Sequence, residues 1–123
     1  MSDVKKKILV ADDETHITTL YQAVLGMEGY EIVVTDDGQS ALNKARASKP
    51  DLMILDIKLP SLTGWEVCKK VKSDASLQDV PVIIASAFGQ KEDRNKSAEA
   101  GADDFLPKPF DSKTLLEHVR KFI

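Results

Sequence analysis

The chain of 123 residues contains one cysteine, Cys68. A lone thiol cannot close an internal disulfide, so a reducing, cytoplasmic setting is expected. No apolar run approaches the ~20 residues needed to span a bilayer. No charged-then-apolar leader opens the chain, and no membrane partner is expected. A basic surplus is also missing: 17 Lys and Arg stand against 20 Asp and Glu, a formal net charge of -3. Direct contact with nucleic acid, which favours basic patches, is therefore not expected. No linker, internal repeat or low-complexity tract divides the chain. Residues 1–123 read as one domain, near the common size for a single hydrophobic core.

What is present is an alternation. Short apolar runs, the strand candidates, are Ile8-Leu9-Val10-Ala11, Tyr30 to Val34, Leu52 to Leu55, Val80 to Ala85 and Asp104 to Leu106. Between them lie helical spacings: Thr15 to Met27, with Ile17, Leu20, Val24 and Met27 in step; Gly38 to Ser48; Trp65 to Lys72; and Lys91 to Ala100, polar and only weakly amphipathic. A last helix follows Asp111, its expected N-cap, and carries Leu115, Leu116, Val119 and Phe122. Leu52 to Leu55 is apolar throughout, as expected of a strand covered on both faces. Pro81 sits near a strand start, where proline is tolerated.

Five strand-then-helix repeats imply a parallel sheet between two helical layers. Right-handed crossovers restrict this to a doubly wound α/β fold, a (βα)5 three-layer sandwich of flavodoxin-like type, and among its orders 2-1-3-4-5 is the one expected. That order opens a crevice at the carboxyl ends of strands 1 and 3. Asp12 and Asp13 follow strand 1 and Asp56 follows strand 3, so three carboxylates converge there. Like charges at close range raise pKa values or require a cation. An all-oxygen set suits a hard divalent ion such as Mg²⁺. A competing structural role for Asp12 and Asp13 is helix capping, with Asp13 or Glu14 able to cap the first helix.

Beyond Asp56 the chain reads Ile57-Lys58-Leu59-Pro60-Ser61-Leu62-Thr63-Gly64. An acidic pair after strand 1, an aspartate ending strand 3 with proline four and glycine eight residues on, a hydroxyl residue ending strand 4, and a Lys-Pro pair after strand 5 occur in order. In this the whole chain resembles the receiver domains of two-component response regulators, including single-domain, chemotaxis-type ones. The resemblance implies a phosphoryl acceptor at Asp56. It implies a Mg²⁺ site (Mn²⁺ may substitute) made by Asp12, Asp13, Asp56 and the Lys58 backbone carbonyl. Ser86 and Lys108 would contact the phosphoryl group. Ser86 and Phe105 would act as a switch, and the Lys108-Pro109 bond would be cis. Three carboxylates contribute -3, and Mg²⁺ with Lys108 returns +3.

The implied donor is a sensor histidine kinase or a histidine phosphotransfer protein. The implied recipient is an output protein or a fused output domain. With five helices accounting for the length, no output domain is expected within these residues. Gln90 to Phe110 is the expected bistable segment, and Lys91, Arg94 and Lys113 are candidate rim charges. Serine stands at position 86 where threonine is commoner, and Phe105 lacks a tyrosine hydroxyl. Lys58 and Phe88 flank the expected water entrance and are candidates for tuning the aspartyl-phosphate lifetime. Trp65 reads as partly buried packing, Cys68 as core, and His16 and His118 as surface or edge positions.

Other readings remain open. A receiver-like interaction domain could ignore phosphate. A Mg²⁺-dependent phosphohydrolase with an aspartate nucleophile would want a second aspartate where Lys58 stands. A nucleotide- or flavin-binding domain would want a glycine-rich loop after strand 1.

Overall fold

The computed structural model describes residues 5–87 and 91–123. Ten elements alternate: β1 (Lys7–Ala11), α1 (Thr15–Met27), β2 (Glu31–Thr35), α2 (Gly38–Ser48), β3 (Leu52–Asp56), α3 (Gly64–Ser73), β4 (Val82–Ser86), α4 (Lys91–Glu99), β5 (Asp104–Pro107) and α5 (Ser112–Val119). The sheet is parallel, in the order β2-β1-β3-β4-β5. The doubly wound α/β fold expected from the alternation is the fold found.

The side-chain period of two sorts the strands into two cores. Leu9, Ala11, Met53, Leu55, Val82 and Ile84 face α2 and α3. Ile8, Val10, Leu52, Ile54, Ile83 and Ala85 face α1 and α5. β3 and β4 are buried at every position, as central parallel strands must be.

Helix ends follow local chemistry. Asp37 caps α2 by accepting from Ser40 N, and Asp111 caps α5 by accepting from Thr114 N at 2.8 Å. Thr63 and Glu66 form a capping box at the start of α3, each side chain satisfying the other's backbone N–H. The first helix departs from expectation. Neither Asp13 nor Glu14 caps it with a side chain: Glu14 occupies the N-cap position, but its carboxylate lies 3.4 Å from His16. Asp12 Oδ1 instead accepts from Glu14 N at 3.0 Å. The apolar spacing of α1 is only partly turned inward. Thr18, Tyr21 and Leu25 are buried, Ile17 and Val24 pack at the margin, and Met27 is 87% exposed. The helix turns its last apolar residue past the edge of the sheet, so spacing alone overstates its burial.

α4 is the least apolar helix. Of its own residues only Ser97 is buried.

Candidate functional site

Strand register assembles the crevice. Ala11 pairs with Leu55, so the next residues, Asp12 and Asp56, lie side by side. Asp56 pairs with Ala85, which brings Ser86 one step further out. Ser86 pairs with Pro107, and Lys108 N donates to Ser86 O at 2.8 Å. Four strand ends thus bring Asp12, Asp56, Ser86 and Lys108 to one edge of the sheet. A cavity of about 360 Å³ opens there, lined by Asp13, Glu14, Asp56, Lys58, Ser86, Ala87 and Lys108.

One carboxylate oxygen each from Asp12, Asp13 and Asp56 lies within 4.8 Å of the others. Asp12 is buried, Asp56 is 9% exposed, and Asp13 is open to solvent. This donor set is all oxygen and can close around one hard divalent cation, with Asp13 on its solvent side. Lys108 reaches in from the other side. Its Nζ lies 2.5 Å from Asp12 Oδ2 and 3.4 Å from Asp56 Oδ1, with 7% of its side chain exposed. The Lys108-Pro109 peptide bond is cis.

Electrostatics in the crevice are strained by burial. Burial pushes the Asp56 carboxyl up to about 6; Lys108 pulls it back, and the Asp12 charge adds to the rise. For Lys108, burial opposes the charged form. The Asp12 hydrogen bond and the charges of Asp56 and Asp12 outweigh it and hold the ammonium above its ordinary value. Beneath the site, Tyr21 is raised well above its usual range by burial and then by Asp12 and Asp56. Its ring packs 5.4 Å from that of Phe110.

Close backbone approach shapes the loop after Asp56. A Cβ on Gly64 would sit 2.2 Å from the Asp56 carbonyl oxygen, and one on Gly38 would sit 2.0 Å from that of Leu62. Ser61, at φ 66°, donates to Asp37 Oδ1 at 3.2 Å and accepts from Gln39 N at 3.1 Å, tying the loop to the start of α2. Lys58 projects from this loop as an exposed residue on the crevice lining. Phe88 lies outside the described residues, as does Gln90, the first residue of the expected bistable segment.

Ser86 is 1% exposed. Phe105 is half-buried on β5, with the Arg94 guanidinium 4.8 Å from its ring centre. Lys91, Arg94 and Lys113 are exposed.

Two contacts had no signal in the sequence. Trp65 packs partly buried against the core as expected, and its Nε1 also donates to Ser97 Oγ at 2.9 Å. His118 is not a free surface residue: its Nδ1 lies 2.6 Å from Asp104 Oδ2, with Lys121 Nζ 3.2 Å from the same oxygen. Burial works to raise the Asp104 carboxyl, but the bonds from His118, the Phe105 N–H and Lys121 together outweigh it and hold the group below its usual value. Cys68 is core as expected, and burial pushes its thiol up to about 11.

Fold and crevice together define a class: a doubly wound α/β domain with an acidic, lysine-faced pocket at its strand ends. Comparison with known proteins narrows it. The sequence model of the response regulator receiver domain matches residues 8–120, and the chain belongs to that family. It is 41% identical over 118 residues to a probable transcriptional regulator, ycf27, of Guillardia theta, covering 96% of this chain and 45% of that protein. The chain spans about half the length of the curated relatives it matches. Among solved structures, the chemotaxis protein CheY4 of Vibrio cholerae superposes with a TM-score of 0.92 at 29% identity, covering 98% of this chain and 100% of that one. The receiver domain of the sensor histidine kinase PA1611 of Pseudomonas aeruginosa, solved with a magnesium ion coordinated in its active-site cleft, superposes with a TM-score of 0.90 at 27% identity. It covers 97% of this chain and 98% of its own. Among the described residues, no helix is long and apolar enough to cross a membrane.

Proposed function

We propose that Asp56 accepts a phosphoryl group from a phospho-histidine protein, and that residues 1–123 act as one receiver domain. The donor would be a sensor histidine kinase or a histidine phosphotransfer protein, in the cytoplasm. The observation that carries this reading is the convergence of Asp12, Asp13 and Asp56 within 4.8 Å, faced by Lys108 at 3.4 Å from Asp56.

Asp12, Asp13, Asp56 and the Lys58 carbonyl would hold Mg²⁺, with Mn²⁺ as a substitute. When bound, the cation supplies charge neutralisation for the incoming phosphoryl oxygens. Near neutral pH the Asp56 carboxyl, with its pKa of about 6, is mostly ionised and nucleophilic. One oxygen attacks phosphorus, the bond from phosphorus to the donor imidazole nitrogen breaks with its electron pair staying on the ring, and an aspartyl phosphate results. Lys108 exchanges Asp12 for a phosphoryl oxygen, and the Ser86 hydroxyl donates to another. Little acid–base work is required, because phosphoryl transfer depends chiefly on position and charge. Water entering beside Lys58 would later hydrolyse the acyl phosphate, so the chain catalyses only its own modification and its reversal.

Inward movement of Ser86 would leave space for Phe105 to rotate. The face formed by α4, β5 and α5 would then change for an output protein or fused output domain. The deciding experiment is intact-mass measurement after treatment with acetyl phosphate and Mg²⁺. One phosphoryl adduct, removed by hydroxylamine and absent in Asp56→Asn, is expected. No adduct, or one that persists in Asp56→Asn, refutes the assignment and returns the chain to a phosphate-indifferent interaction role.

A further inference from the structure

Helix α4 has no apolar stripe to hold it, and two aromatic rings reach it from neighbouring elements. From α3, Trp65 donates its indole N–H to Ser97 Oγ at 2.9 Å, and Lys96 Nζ stands 5.2 Å from the same ring. From β5, Phe105 lies under Arg94. The Ser97 hydroxyl also donates to the Asp93 carbonyl at 2.8 Å. Its one proton is therefore committed, and its oxygen is presented to an indole that can only donate. Such a bond is made for one placement of α4 and is lost when the helix shifts by about an ångström.

The other end of this contact lies at the site. Trp65 is the second residue of α3, next to Gly64. Gly64 N donates to Ile57 O at 2.9 Å, and its missing Cβ lets the chain pass against the Asp56 carbonyl. Contacts therefore run from Asp56 through Gly64 and Trp65 to Ser97 without involving Ser86 or Phe105.

We infer that Trp65 and Ser97 are positioning residues forming a latch, a second link between Asp56 and α4; this rests on the phosphoacceptor reading above. The closed Trp65–Ser97 latch coexists with the half-exposed Phe105 ring under Arg94, and the two are the holds on α4. Inward rotation of that ring removes one hold, and movement of α4 breaks the other. The closed latch therefore opposes the phosphorylated state. By linkage, opening it strengthens binding of a phosphoryl group at Asp56.

The test uses the full chain and beryllofluoride with Mg²⁺ as the phosphoryl probe. Ser97→Ala removes the acceptor, Trp65→Phe removes the donor but keeps a ring, and the double variant removes both. Each single variant should raise amide exchange in α4 about tenfold, the effect of losing one part-buried hydrogen bond. Each should also tighten beryllofluoride binding, followed by calorimetry, by about three- to tenfold. The double variant should match the singles instead of multiplying them. Unchanged beryllofluoride affinity in both singles, or fully multiplicative effects in the double, overturns the latch alone. Failure of the unmodified chain to bind beryllofluoride overturns the phosphoacceptor reading and the latch with it.

Discussion

Asp56→Asn in metal-free protein isolates the energetic cost of the proposed nucleophile. Its carboxyl is carried from an ordinary value of 3.8 to about 6, chiefly by burial. That difference corresponds to about 3 kcal/mol of ionisation penalty at neutral pH. The crevice is partly open to water, which screens the charge and reduces the expected figure to about 1–2 kcal/mol. The folded chain binds this proton more tightly than the unfolded chain does. Its contribution to stability is therefore fully present below about pH 4 and lost as pH rises through about 6. Asparagine carries no such proton. Urea unfolding in the presence of EDTA should give similar stabilities for the two proteins near pH 4. Between pH 4 and 6 the unmodified chain should fall below Asp56→Asn by the stated amount, and the gap should stay constant above. Parallel curves across this window would refute burial as the cause of the shift. Saturating Mg²⁺ should close the gap by stabilising only the protein that keeps the third carboxylate; tenfold excess over the dissociation constant gives about 1.4 kcal/mol.

Other consequences can be checked separately. Lys108→Met leaves Asp12 and Asp56 facing each other without a cation. Metal-free stability at pH 7 should fall by about 2–3 kcal/mol, and calorimetry should show tighter Mg²⁺ binding; no change in either would remove Lys108 from the charge balance. Gly64→Ala places a methyl group against the Asp56 carbonyl and should cost about 3 kcal/mol in urea unfolding while weakening Mg²⁺ binding. Beryllofluoride should turn the Phe105 ring away from Arg94, visible as a change in its aromatic proton shifts. An identical ring environment with and without the probe would exclude the switch.

Strand order and the meeting of Asp12, Asp13 and Asp56 were legible in the alternation of elements, whereas the places of Ser86 and Lys108 were implied by the resemblance to receiver domains. Parallel βα repeats leave few topologies, and strand ends then fall in register. Asp111 was legible as a cap because capping is local. The Thr63–Glu66 capping box carries an equally local signature, three residues apart, and could have been read from it. Contacts between distant side chains were not legible. Nothing in the spacing of Trp65 and Ser97, or of Asp104 and His118, says that their helices and strands bring them within hydrogen-bond distance. The pairing of Lys108 with Asp12, closer than with Asp56, depends likewise on where a long side chain settles among two carboxylates. Met27 falls in step with Ile17, Leu20 and Val24 yet is exposed, because periodicity describes a helix face but not how far the supporting core extends.

The polar make-up of α4 has an evolutionary corollary. Eight of its nine residues lie outside the interior, so they can be rewritten with little penalty to folding. On the reading proposed for this face, recognition specificity has room to diverge there, while the strand-end carboxylates are tied to the chemistry proposed for them.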